Sequence, residues 1–469
     1  MITIMKKLVT LLMGVFAVIT IAACEREAYD PTVIFDEEEG VFVPEEGAEI
    51  TIGVDSDTMG LAIIEKWQED FPEDEYPEKH NMLSFRNYES VNSESSGMEG
   101  LELMEDEAPD VALVIDNEVL GRENAVRQFH DYFIGIGEEQ THEIYHQINH
   151  LGNFFLPAFY DGMIFSWNRT MLEEWGVDVD DVTEDNLPAE LSTWEDIFAY
   201  ADQYGFAPAD RPTFDGRTIR EFFPISIVEV WSAYPQLTAG DWQIFEEGDY
   251  TDPGFDDEEF LVGLELVEEW AQTNMSVDET GSIRSSGEMA WRWERYLQGE
   301  YPFGMVGTWM DVKEQMDDTG YEFEFSTIPT YDGENLAQLI KTKGFVINSA
   351  TPYPSAANEV LRWLYTDETM ATMVNNSTYI PALQDDAEIY PAIEDDFKQD
   401  MVAGLEHAWL EPAATLPENP TQRAMSVYYN IGVEDYLMEL WDGDRDAEAT
   451  QQRIHDAATD WIERNNTRD

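Results

Sequence analysis

The sequence predicts an α/β fold of two or three domain-sized units, on three observations. Strand-like apolar runs alternate with segments of helical period, the pattern of parallel strands covered on both faces. An apolar fraction of 43%, including 14 Trp, 21 Tyr and 24 Phe, is enough to fill large cores. The 469 residues exceed what one core usually serves, yet no Gly/Ser-rich linker and no repeat of roughly 20–50 residues divides them. The units are therefore expected to be joined by short crossings.

The chain opens on an address. Lys6 and Lys7 precede an apolar run from Leu8 to Ile21, which is export-signal grammar and too short for a comfortable membrane span. Ile21-Ala22-Ala23-Cys24 ends it, and this sequence resembles a bacterial lipobox. The resemblance implies a signal peptide over 1–23 and a mature chain anchored to the membrane by lipid on Cys24. The alternative is an ordinary secretory signal with an incidental cysteine. Either places the protein outside the cytoplasm, on the outer face of the membrane if anchored. With one cysteine there is no intramolecular disulfide.

Residues 24–48 carry the run Asp36-Glu37-Glu38-Glu39 with Pro31 and Pro44. Such a segment repels itself, and composition predicts an acidic tether of about 25–30 Å reach. The body then begins. Ile50, Ile52 and Val54 alternate as a strand does, and Thr58 is positioned to cap a helix with Leu61, Ile64, Trp67 and Phe71 on its apolar face. Further apolar runs at Met82–Phe85 and Val111–Ile115 give strand, helix, strand, helix, strand. Ligands of such sheets sit outside the carboxyl ends of the strands, which singles out Asp57 and the Asp116-Asn117 pair. Later, Leu261, Leu264, Val267 and Trp270 share a helical face, Tyr301–Val306 reads as a strand ending at Gly307, and Ser355 opens a helix with Val360, Leu361 and Leu364.

Charge narrows the function. With 99 Asp+Glu against 25 Lys+Arg, the net charge of −74 excludes nucleic acid as a partner and disfavours anionic ligands. It tolerates neutral or cationic ones. Eight Lys against 17 Arg favours the more weakly hydrated cation. So many like charges suit a salt-rich habitat, where at about 1 M the Debye length is roughly 3 Å. A merely acidic surface is the plainer alternative.

One motif points to another class. His142-Glu143-Ile144-Tyr145-His146 matches HExxH, in which two His on one helical face hold zinc and the Glu activates water. His150 extends that face. Leu151-Gly152 comes in the wrong order for the longer pattern, and no downstream third ligand follows, so a zinc metallopeptidase is kept only as an alternative, with no metal or cofactor assigned. There is no GxxxxGK[ST] loop and no GxSxG elbow. Carboxylate spacing says nothing where almost every window holds two acids.

The segment Asn153-Phe154-Phe155-Leu156-Pro157-Ala158-Phe159-Tyr160-Asp161-Gly162-Met163-Ile164-Phe165-Ser166-Trp167-Asn168 is similar to that of the family 1 extracellular solute-binding proteins, especially maltose- and maltodextrin-binding proteins. Leu172–Gly176 with Ser192–Asp196, Gly304–Trp309, and Ile328-Pro329-Thr330 with Lys343–Asn348 extend the resemblance over roughly residues 49–465. It implies a type II periplasmic-binding-protein-like fold, each lobe a sheet flanked by helices, joined by hinge crossings. Lobe 1 would comprise 49–159 and 330–395, and lobe 2 would comprise 160–329 and 396–469. It further implies a monomer that binds carbohydrate, an oligosaccharide, between the lobes and delivers it to the permease of an ABC importer without catalysis. A sugar offers flat CH faces and a rim of hydroxyls, so its site needs aromatic platforms and charged acceptors.

Carried over position by position, the resemblance implies ligand contacts at Asp57, Asp116, Asn117, Tyr160 and Asp161, with aromatic positions at Phe222, Trp231, Trp309, Tyr428 and Tyr429. The family's basic residue beside the first acid is Thr58 here, and no aromatic platform stands near Val114-Ile115. A cationic ligand such as a polyamine is the alternative within binding proteins. For each ring the competing role is the core, where most aromatics reside.

Overall fold

The computed structural model describes residues 33–88, 108–119, 125–133, 136, 154–245, 252–289, 292–383, 387, 389–393, 396–405, 407–410 and 426–466. The export segment, Cys24 and the His142–His150 motif lie outside them. In chain order the strands are β1 (Phe35–Asp36), β2 (Val41–Phe42), β3 (Ile50–Val54), β4 (Leu83–Asn87), β5 (Val111–Ile115), β6 (Leu156–Asn168) and the short β7 (Thr213–Phe214) and β8 (Arg217–Thr218). They continue with β9 (Phe303–Gly307), β10 (Phe323–Ser326), β11 (Leu339–Ile347), β12 (Ile380–Pro381) and β13 (Trp409–Leu410).

A nine-stranded sheet runs β10-β6-β11-β5-β3-β4, with β9 and β12 also on β6 and β13 on β11. β4, β3 and β5 are parallel, as their apolar runs predict, through Ile52↔Phe85 and Ile52↔Val111. The sheet is nevertheless mixed, because β11 joins β5 antiparallel at Phe345↔Leu113 and β6 joins β11 antiparallel at Ile340↔Gly162.

β6 links two bodies. From Leu156 to Gly162 it pairs with β11, and from Met163 to Asn168 its partners are β9 and β10. The cores divide at the same place. Leu156 and Phe159 pack with Ile50, Ile52, Trp67, Phe345 and Val360, whereas Met163, Phe165 and Trp167 pack with Trp194, Phe223, Trp270 and Phe303. β11 crosses back, with Leu339 in the second core and Phe345 and Ile347 in the first. Two α/β lobes joined by antiparallel crossing strands result.

Helices cover the sheet. α1 (Asp57–Asp70) lies close on β4: a Cβ on Gly60 would stand 2.2 Å from the Phe85 ring. Its cap is Ser56, whose side chain accepts from Met59 N, and not Thr58. The buried face is accordingly Met59, Ile63 and Trp67, leaving Leu61 63% exposed. In the second lobe α2 (Val230–Leu237) packs on α3 (Glu258–Gln272), which buries the predicted Leu264, Val267 and Trp270 together with Phe260, while the predicted Leu261 is only half-buried. α4 (Trp293–Tyr296) packs on β9, and α5 (Pro354–Leu364) returns to the first lobe with Val360, Leu361 and Leu364 buried.

Residues 33–48, assigned from composition to a tether, instead form a docked hairpin. Asp36 Oδ1 accepts from Glu38 N and Glu39 N, so the acidic run is the turn between β1 and β2. Phe42 is fully buried in the first core, and its N–H donates to Glu359 on α5. Glu45 accepts from Ser355 N and Ala356 N in the first turn of α5, where a carboxylate is favoured. Burial would raise the Glu359 carboxyl, yet hydrogen bonds and charge from Arg362 and Lys79 hold it below the ordinary carboxylate range.

Candidate functional site

The register of β6 locates a gap between the lobes. The carboxyl end of β5 stands at Ile115, opposite Lys343, which in turn faces Phe159 on β6. The carboxyl end of β9 stands at Gly307, opposite Met163 of β6. Four residues of strand, about 13 Å, therefore separate the strand ends of one lobe from those of the other. Both present their carboxyl edges to the same crossing.

On the first lobe, β3 ends and Asp55 follows. Its Oδ2 accepts from Lys343 Nζ and from Tyr379 OH, each at 2.7 Å, and Tyr379 OH also contacts Lys343 Nζ. Lys343, only 6% exposed, stands in a strand whose buried residues include Ile340, Phe345, Val346 and Ile347. The cation beside Asp55 is thus contributed by the crossing strand β11. Asp57 is exposed at the first turn of α1 and accepts from Asn87 Nδ2 at 2.9 Å. Asp116 is buried just past β5, in the short helix that includes Asn117. Half-buried Tyr160 pairs with Thr342 and Ile380 between the two bodies, and Asp161 pairs with Lys341 through its backbone.

On the second lobe, Thr308 is tied to Gly162, with Thr308 N donating to Gly162 O at 2.9 Å and Gly162 N to Thr308 Oγ1 at 3.3 Å. The next residue, Trp309, is 44% exposed, the one largely exposed tryptophan among the described residues. Its indole folds over Gly307, where a Cβ would lie 2.5 Å from the ring, and stacks on Trp231 with centroids 6.2 Å apart at 30°. Trp231 sits in the first turn of α2. The two indoles make a broad apolar surface beside the crossing.

Other predicted rings lie elsewhere. Phe222 is fully buried among Trp175, Tyr200 and Tyr204 with the Arg211 guanidinium over its face, so it is a core ring and offers no platform. Tyr428 is also fully buried, and its hydroxyl donates to Val230 O at 2.6 Å, holding the helix end that carries Trp231. Burial keeps that phenol protonated, well above its usual range. Tyr429 is half-buried against the same core. Asp55, Lys343 and Tyr379 were missed from sequence; a lysine inside an apolar strand was the available cue. Among the described residues no cluster of His, Cys, Asp and Glu could hold a metal.

Two hinged α/β lobes, with carboxylates on one edge and an indole pair on the other, define a receptor that encloses a small molecule between its halves. The chain belongs to the family of bacterial extracellular solute-binding proteins, whose profile matches residues 102–401. Its fold is similar to the maltose-binding periplasmic protein MalE of Listeria monocytogenes in complex with maltose, at 15% identity, covering 90% of this chain and 99% of that one with a TM-score of 0.64. A cyclo/maltodextrin-binding protein complexed with maltotetraose aligns at 14% identity over 88% of this chain and 97% of its own, with a TM-score of 0.62. No curated protein matches the sequence significantly.

Proposed function

We propose that the gap between the lobes binds a neutral oligosaccharide, which the chain, held by lipid on Cys24 at the outer face of the cytoplasmic membrane, delivers intact to the permease of an ABC importer. The observation that carries this reading is the Trp309–Trp231 stack, an exposed aromatic platform fixed by Thr308 to the crossing strand. Sugars present CH faces to such platforms and hydroxyls to carboxylates. In this reading Asp57, Asp116, Asn117, Tyr160 and Asp161 supply polar contacts to the ligand, and Tyr429 a further aromatic one. Asp55, braced by Lys343 and Tyr379, adds an acceptor whose orientation is set by those two partners. Family membership supports the importer role, and the two similar structures are complexes with maltose and with maltotetraose.

A thermal-shift panel in about 1 M salt tests it. Maltose, maltotetraose and other neutral oligosaccharides should include at least one that raises the melting temperature saturably. A rise with polyamines and with no sugar would overturn the proposal.

A further inference from the structure

We propose that the docked hairpin of β1 and β2 makes the first lobe the membrane-proximal half of the receptor, with the edge of that lobe furthest from the inter-lobe gap kept beside a lipid surface. This rests on the anchoring at Cys24 proposed above. It goes further by assigning which part of the body the anchor holds.

The place where the chain enters the body carries the inference. Ile347 ends β11 opposite Val111, the first residue of β5, whereas Lys343 faces Ile115 at the gap. Four residues of strand, about 13 Å, lie between those two ends. Thr351 Oγ1 donates to Asp110 Oδ1 at 2.6 Å, so the chain leading into α5 stays at the outer end of the sheet. There Ser355, in the first turn of α5, accepts from Ile34 N at 3.0 Å. Val33, beside Ile34, packs on the first core. Entry is therefore at the outer edge of the first lobe, away from the gap.

The hairpin belongs to that edge and not to the leash. Phe42 is fully buried and stacks on Phe133 with centroids 5.6 Å apart, while its N–H donates to Glu359 at 3.0 Å. Glu45 accepts from Ser355 N and Ala356 N. Val33 stands nine residues on from Cys24, and by whatever path that length spans at most about 30–32 Å. With residues 33–48 free as well, the limit would be about 80–90 Å. Docking thus removes nearly two thirds of the leash. Closure on a ligand then brings the second lobe towards a first lobe that stays at the membrane. Both edges of the gap lie away from the point of attachment, so the anchor obstructs neither ligand nor permease.

The test couples the mature chain through Cys24, its only cysteine, to a maleimide lipid in phosphatidylcholine vesicles at about 1 M salt. Orientation is then measurable whether or not cells attach lipid. A donor dye on a bioorthogonal amino acid replaces either exposed Ala350, at the outer end of the first lobe, or Glu279, 88% exposed on the second. Energy transfer to acceptor headgroups should be at least about twofold greater from position 350, because the leash bounds its distance. Phe42→Ala with Glu45→Gln should free the hairpin and shrink that difference. A Gly/Ser insertion between Asp30 and Pro31, which leaves the body untouched, should shrink it too. Equal transfer from both positions, or a difference unchanged by the insertion, would overturn the hairpin's role and leave the anchor standing. The mass of the chain extracted from cell membranes decides the anchor separately: an unmodified Cys24 would overturn both.

Discussion

Replacing Trp309 by alanine removes the platform and leaves the strand that carries it. A tryptophan offers up to about 250 Å² of surface. At 44% exposure, about 110 Å² of Trp309 is open to a ligand. A sugar ring covering half of that removes about 55 Å² from water, worth about 1.4 kcal/mol at about 25 cal/mol per Å². Stacking geometry adds about 0.5–1.5 kcal/mol. The total, about 2–3 kcal/mol, corresponds to a loss of about 30- to 150-fold in affinity. Isothermal titration with the best sugar from the panel, in matched high salt, measures it. Because the indole is exposed and, among the described residues, packs on the ring of Trp231 alone, the melting temperature should change little. A loss below about threefold in a variant that melts like the parent would refute Trp309 as a platform.

Four further outcomes are expected. Gly307→Ala places a methyl 2.5 Å from the Trp309 ring, so it should displace the indole and weaken sugar binding while the far-UV spectrum is preserved. Tyr379→Phe removes a hydroxyl bonded to the Asp55 carboxylate and should cost about 1.5–3 kcal/mol in urea unfolding. Glu359→Gln should cost about 3 kcal/mol at neutral pH. Since the folded Glu359 carboxyl titrates below its unfolded value, that difference should hold above about pH 4.3 and close as the pH falls through the lower, folded value, which melts at stepped pH would show. Dilution from about 1 M to about 0.01 M salt lengthens the Debye length from roughly 3 to 30 Å, and the melting temperature should fall with it.

The large elements were legible because their patterns are local. β5 is an unbroken apolar run, α3 carries its stripe at helical spacing, and the crossing strand β6 was marked by its resemblance. A two-residue offset in the cap explains the misplaced face: Ser56 and Thr58 are both good caps, and choosing the later one put Leu61 on the buried side. With Ser56 as the cap, Asp55 becomes the residue just outside the strand. Its partner Lys343 is 288 residues away, a pairing no local pattern encodes. The hairpin was hidden because four consecutive acids dominate its composition, although they form only the turn while Phe42 enters the core. Phe222 and Tyr428 were misjudged for a related reason: a ring's sequence neighbours do not say whether its face meets protein or ligand.

The placement of cations shows how so acidic a chain holds together. Three carboxylates that are largely withdrawn from water, Glu359, Asp55 and Glu221, take five cations between them: Lys79 and Arg362, Lys343, and Arg284 and Arg292. Leaving any one of these acids without its partner would strand a buried charge, which costs several kcal/mol. An exposed acid costs far less, because electrolyte screens it. Scarce positive residues are therefore most effective inside, and the outer carboxylates are left to the solvent. The same logic favours arginine. Arg362 grips Glu359 with Nε at 2.8 Å and an Nη at 3.0 Å, a two-point contact that the point charge of lysine cannot reproduce. Arginine's excess over lysine, 17 to 8, then follows from where cations must act.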